Sequence, residues 1–165
     1  MYESAYYDSC IFFTAQNTTH REHEACKYVT EPNNIKWIVW ICSELICSET
    51  TAAELLNSFE INCALSGALV GHALAENGKA TTRTHLPIKN ELKKRQLKSR
   101  DLLHLMCAVS VNAASLLTVD PDFWDASNKS NPKAKNKSSD TKKFIESKLS
   151  IKILLPSEFK NAVMA

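Results

Sequence analysis

The chain has 165 residues, 44% of them hydrophobic and 8% aromatic, which is enough for one buried core and makes a single domain over 1–165 the expectation. No apolar stretch reaches the roughly 20 residues of a membrane span, and the opening MYESAYYDSC lacks the basic and then apolar stretches of a signal peptide, so a soluble, cytoplasmic protein is expected. The net charge of +2 is unevenly spread: residues 1–78 carry Arg21, Lys27 and Lys36 against ten acids, whereas 79–165 carry seventeen basic side chains against eight acidic ones.

Ala5–Tyr7, followed by Asp8-Ser9-Cys10-Ile11-Phe12-Phe13, reads as a short first strand ending in a turn. Arg21–Thr30 has helical character and is broken by Glu31-Pro32-Asn33-Asn34. Ile35–Cys42 is a β-branched and aromatic run bounded by that turn and too short for a typical helix, which predicts a buried strand. Ser43 can cap a helix running to about Ser58, with Glu44 favourable to its N-terminal dipole. A further helix is predicted over Ala64–Glu76, where Gly67 and Gly71 lie one turn apart and suit close packing; Asn77-Gly78 ends it. Thr81–Pro87 reads as loop and Ile88–Lys98 as a strongly basic helix.

Ser99-Arg100-Asp101 starts another helix, whose apolar face comprises Leu102, Leu105, Met106, Val109 and Val111. Ala114–Val119 is a predicted strand. The Lys/Ser-rich stretch at about 126–143 is poor in apolar residues and reads as a mobile surface insertion. Ile151–Leu155 is a last strand, and Pro156–Val163 a last helix with proline at its first position. Strands alternating with helices predict an α/β fold, a three-layer α/β/α sandwich around a mostly parallel central sheet. The six cysteines, at 10, 26, 42, 47, 63 and 107, form no CxxC pair and sit mostly among apolar neighbours, so free buried thiols are expected rather than disulfides or zinc ligands.

Asp8, Glu49, Asp101 and Asp120 each stand where an apolar, strand-like run meets a helix-like one. Acids beside core-forming segments carry a desolvation cost unless something cationic pairs with them. In a parallel sheet the carboxyl ends of the strands open into one crevice, so acids placed there would converge. The usual occupant of an all-oxygen cluster is a hard divalent ion, Mg²⁺ or Mn²⁺. The second acid has rivals on its own predicted helix. Glu49 shares the inward face with Leu45, Ala52 and Leu56, while Glu54 shares a polar face with Thr50, Thr51, Asn57 and Ser58, so Glu49 is preferred over Glu54, with Glu44 third.

Several segments resemble the PIN domain, the fold of VapC-type toxin ribonucleases. Tyr7-Asp8-Ser9-Cys10-Ile11-Phe12 resembles the family's opening strand with its first acid, and Ser43-Glu44-Leu45-Ile46-Cys47-Ser48-Glu49 its Ser-Glu-Leu helix start with the second. Ser99-Arg100-Asp101-Leu102-Leu103-His104-Leu105-Met106 is similar to the Asp-Ala-Leu-His-Leu-Ala segment that carries the third acid, with Leu-Leu here in place of Ala-Leu. Leu116-Leu117-Thr118-Val119-Asp120-Pro121-Asp122-Phe123 is similar to the segment carrying the fourth, and Ile151–Phe159 to the closing strand and its Pro-x-Glu-Phe tail. The likeness spans nearly the whole chain; the Lys/Ser-rich segment departs from it.

The resemblance implies a Mg²⁺- or Mn²⁺-dependent endoribonuclease hydrolysing RNA phosphodiester bonds, the toxin half of a toxin–antitoxin pair. Asp8, Glu49, Asp101 and Asp120 would be catalytic residues and metal ligands, Ser9 and Thr118 would orient them, and Asp122 would act no closer than through water. A homodimer and a small antitoxin protein are the implied partners besides RNA. Lys93, Lys94, Arg95, Lys98 and Arg100 lead into Asp101 and could hold the RNA backbone beside the metal. His104 reads as a packed helix histidine. The alternative is a catalytically silent PIN-like RNA-binding or scaffold protein, for which the loss of an acid would be the expected mark.

Overall fold

Five short strands pair into one parallel sheet in the computed structural model, which describes residues 4–41, 69–70, 85–95, 97–124 and 140–165. They are β1 (Ser4–Tyr7), β2 (Ile38–Ile41), β3 (Leu69–Val70), β4 (Ser115–Leu117) and β5 (Lys152–Leu154), in the order β3-β2-β1-β4-β5. Every neighbouring pair is parallel, and Ala5 at the centre is flanked by Val39 on β2 and Ser115 on β4. The described helices are α1 (Cys10–Gln16), α2 (His23–Thr30), α3 (Leu86–Lys94), α4 (Ser99–Ser110), α5 (Thr141–Leu149) and α6 (Pro156–Met164).

Alternation along the strands sends successive side chains to opposite faces, and two buried clusters result. Tyr6, Leu116 and Ile153 pack with Leu92 of α3, Leu102, Leu105 and Met106 of α4 and Ile145 of α5. Ala5, Tyr7, Val39 and Leu117 pack with Ile11 and Phe12 of α1, Cys26 and Val29 of α2 and Phe159 of α6. Helices therefore cover both faces, an α/β arrangement compatible with a three-layer sandwich. Among the described residues, no helix is long and apolar enough to cross a membrane.

Several elements differ from the sequence expectation. The chain turns immediately after Asp8: the Asp8 carbonyl accepts the Ile11 N–H at 3.0 Å, and Cys10–Phe13 open α1 rather than closing the first strand. Helical spacing then seats both Ile11 and Phe12 on the core. Leu69–Val70 falls inside the predicted helix 64–76 but is a strand, in register with Trp40 and Ile41. Pairing along the edge of β2 satisfies backbone groups that local helix propensity alone would have paired within the segment. Helix α3 begins at Leu86 and takes Pro87 into its first turn, where the missing N–H is no loss. Helix α5 begins at Thr141, which is buried, so Thr141–Lys143 belong to a packed helix and not to the Lys/Ser-rich insertion. Residues 126–139 of that insertion, and the predicted helix from Ser43 to Ser58, lie outside the described residues. Cys10, Cys26 and Cys107 are free thiols, as expected.

Candidate metal centre

The chain builds β1, β2 and β3 to one side, then returns to lay β4 on the other side of β1. Where the strand order reverses in this way, the helices that follow the two central strands leave in opposite directions and a crevice opens at the carboxyl ends. Asp8 follows β1 there, and its N–H extends the β1–β4 ladder to the Leu117 carbonyl at 3.0 Å. Asp120 follows β4, and Asp101 reaches the same end of the sheet from the first turn of α4.

Among the described residues, three carboxylates meet there. Asp101, Asp120 and Asp122 each offer an oxygen within 4.8 Å of the other two. Backbone donors fix two of them: the Lys98 N–H reaches Asp101 Oδ2 at 2.9 Å, and the Asp122 N–H reaches Asp120 Oδ1 at 2.8 Å across the Asp-Pro-Asp turn. The Asp120 N–H in turn donates to Thr118 Oγ1 at 3.0 Å. Lys98 Nζ lies 3.0 Å from Asp122 Oδ2.

Asp8 stands beside this trio. Its Oδ2 accepts the Thr118 hydroxyl at 2.6 Å, and its Oδ1 accepts the Ser9 hydroxyl and the Cys10 N–H, both at 3.4 Å. His104 Nε2 is 3.6 Å from the same oxygen, and His104 Nδ1 is 3.1 Å from the buried Tyr6 hydroxyl. With Tyr6 donating to Nδ1, the neutral imidazole carries its proton on Nε2, toward Asp8. Burial pushes the His104 pKa down, which favours that neutral form. His104 is thus one turn from Asp101 on the same helix and packs against the site, a contact that its apolar sequence neighbours did not disclose.

Burial is also the first cause that raises the acids. It lifts Asp101 to about 6, with Asp120, Asp122 and Asp8 adding like charge against the opposing Lys98 N–H. Asp120 is raised in the same way, by burial first and then by Asp122 and Asp8. Such strain is what a dication relieves. The donor set is all oxygen, and the cluster could hold a metal ion.

Of the four acids expected from sequence, Asp101 and Asp120 come together, Asp8 lies at their side, and Glu49 falls outside the described residues, as do Glu44 and Glu54. Asp122 belongs within the trio, closer than its sequence position suggested. The signal for it was the Asp-Pro-Asp spacing, which turns the second acid back beside the first. Arg95, expected to face RNA, is committed elsewhere: its guanidinium pairs with Asp140, lies 3.3 Å from Glu91 and stacks 4.4 Å from the centre of the Phe144 ring. No family model, no curated protein and no solved structure matches this chain.

Proposed function

We propose that the protein is a divalent-metal-dependent endoribonuclease of the PIN type, with Mg²⁺ or Mn²⁺ held by the acids at the sheet's switch point. The observation that carries this reading is the trio of Asp101, Asp120 and Asp122 with Asp8 beside it, at the carboxyl ends of the two central strands. Motifs in the matching order along the chain support the family assignment. On this reading Asp101, Asp120 and Asp122 hold the ion, with Asp8 and Glu49 completing the set. The ion would supply a water of lowered pKa and neutralise charge developing on the pentacoordinate phosphorus.

The surrounding side chains keep the acids ready for that work. Thr118 fixes the direction of the Asp8 carboxylate, and since a carboxylate has about four acceptor sites, capacity remains to ligate. The Ser9 hydroxyl and the Cys10 N–H reach the other oxygen, and His104 packs beside it. Partners of this kind commonly carry about 10–100-fold of metal affinity or activity. Lys93 and Lys94 are exposed on α3, and together with Arg100 they provide a basic approach that would read the phosphate backbone more than sequence. A toxin role, with a homodimer and an antitoxin partner, goes with the same reading.

The test is incubation of the purified chain with total RNA and Mn²⁺, alongside Asp101→Ala and Asp8→Asn. Fragmentation by the wild type is expected, with loss of at least about 100-fold in either variant. Intact RNA bound tightly without metal would instead support the silent scaffold, and cleavage of DNA alone would redirect the assignment to another phosphodiester.

A further inference from the structure

The Lys98 ammonium sits where a metal site has no evident use for a monovalent cation. Its Nζ is 3.0 Å from Asp122 Oδ2, yet the lysine side chain is 69% exposed and the Asp122 side chain only 11%. The two ends of the residue behave differently. The Lys98 backbone N–H is tied to Asp101 Oδ2 at 2.9 Å, so the main chain is part of the site. The side chain reaches the carboxylate from the solvent side.

Building on the metal-dependent reading above, we propose that Lys98 is a displaceable counter-ion that becomes a phosphate clamp. It neutralises Asp122 while the trio lacks a dication, and it turns to an RNA phosphate when Asp122 is taken up as a ligand. Three physical facts carry this. An ion pair with one exposed partner contributes little, so a modest change in the field releases it. A dication among carboxylates that lie within 4.8 Å of one another repels an ammonium bonded to one of them. Lysine, a strongly hydrated point charge on a flexible stem, suits a phosphate as well as a carboxylate. The freed ammonium would also lie close in sequence to the exposed Arg100, Lys93 and Lys94, so the basic approach would extend up to the reacting phosphate.

Two opposite effects follow from one substitution. Lys98→Met removes a competitor for Asp122 and should tighten Mn²⁺ binding, measured calorimetrically without RNA, by up to about fivefold. The same variant should lose part of the coupling between metal and RNA. Adding Mn²⁺ should raise the affinity for a short fluorescent 2′-O-methyl RNA at least about threefold more in the wild type than in Lys98→Met. Lys98→Arg, which keeps the charge, should stay near wild type in Mn²⁺ binding. Unchanged or weaker Mn²⁺ binding in Lys98→Met, beside normal binding by the wild type, would overturn the clamp and leave the metal reading standing. A wild-type chain that binds no Mn²⁺ would overturn both.

Discussion

Asp101 is held near a pKa of about 6, first by burial and then by three neighbouring carboxylates, so its charge at neutral pH opposes folding when no cation is bound. The native state binds this proton more tightly than the unfolded chain does. Between the ordinary aspartate value and about 6, stability therefore falls as pH rises. Its contribution is fully present below about pH 3.9 and is lost as pH climbs through the folded value. The size is on the order of 2–3 kcal/mol. Asp101→Asn keeps an oxygen for the Lys98 N–H and removes the charge. In metal-free buffer at pH 7.5 it should melt roughly 4–12 °C above the wild type, taking about 2–4 °C per kcal/mol. That gain should shrink toward zero near pH 3.5, and the response to Mn²⁺ should disappear. A variant that melts lower at pH 7.5 would mean that the carboxylate is stabilised in the fold. Asp8 and Asp120 were legible as candidates from their position after apolar runs, and Asp101 from its place at the start of a helix. The part played by His104 was not, because a histidine among leucines looks the same from sequence whether or not Tyr6 and Asp8 stand across from it.

At the scale of elements, the basic residues where α3 ends point in two directions. Lys93 and Lys94 face solvent, while Arg95 leans on Phe144 of α5 and pairs with Glu91 and with Asp140 at the start of that helix. A guanidinium over an aromatic face contributes about 0.5–2 kcal/mol according to its desolvation. Arg95→Ala should therefore lower the urea midpoint and leave the affinity for RNA at low salt within about twofold. The pair Lys93→Gln and Lys94→Gln should do the reverse. It should also flatten the salt dependence, by about 0.7 in log–log slope for each phosphate of a single strand that is no longer neutralised. Weakened RNA binding by Arg95→Ala at full stability would return that residue to the surface proposed to face RNA. In sequence all five basic residues of this stretch look alike. Helical spacing separates them by face, but only the arrival of α5 shows which face is already occupied. The same limit explains β3: a two-residue strand in the short run between Gly67 and Gly71 has no periodicity of its own, and its strand state comes from pairing with β2.

Across the whole molecule, the acids tie distant parts of the chain to one point, so binding there should stabilise the fold as a unit. A ligand that binds only the native state at 100 times its Kd adds about 2.7 kcal/mol. Saturating Mn²⁺ should accordingly raise the melting temperature by roughly 5–10 °C at pH 7.5, and chelation should reverse it. A melting curve indifferent to millimolar Mn²⁺ would count against an assembled centre. The sequence by itself marked β1, β2, β4 and β5 and the helices α2, α3, α4 and α6, because apolar periodicity and turn residues are local properties. It also marked the junctions where Asp8, Asp101 and Asp120 stand. The strand order, the return of β4 to the far side of β1 and the reach of Lys98 to Asp122 were decided by tertiary structure alone. Those depend on which strand edges pair and how a turn redirects a side chain, and residues as far apart as Asp8 and Thr118 become neighbours only when the sheet forms.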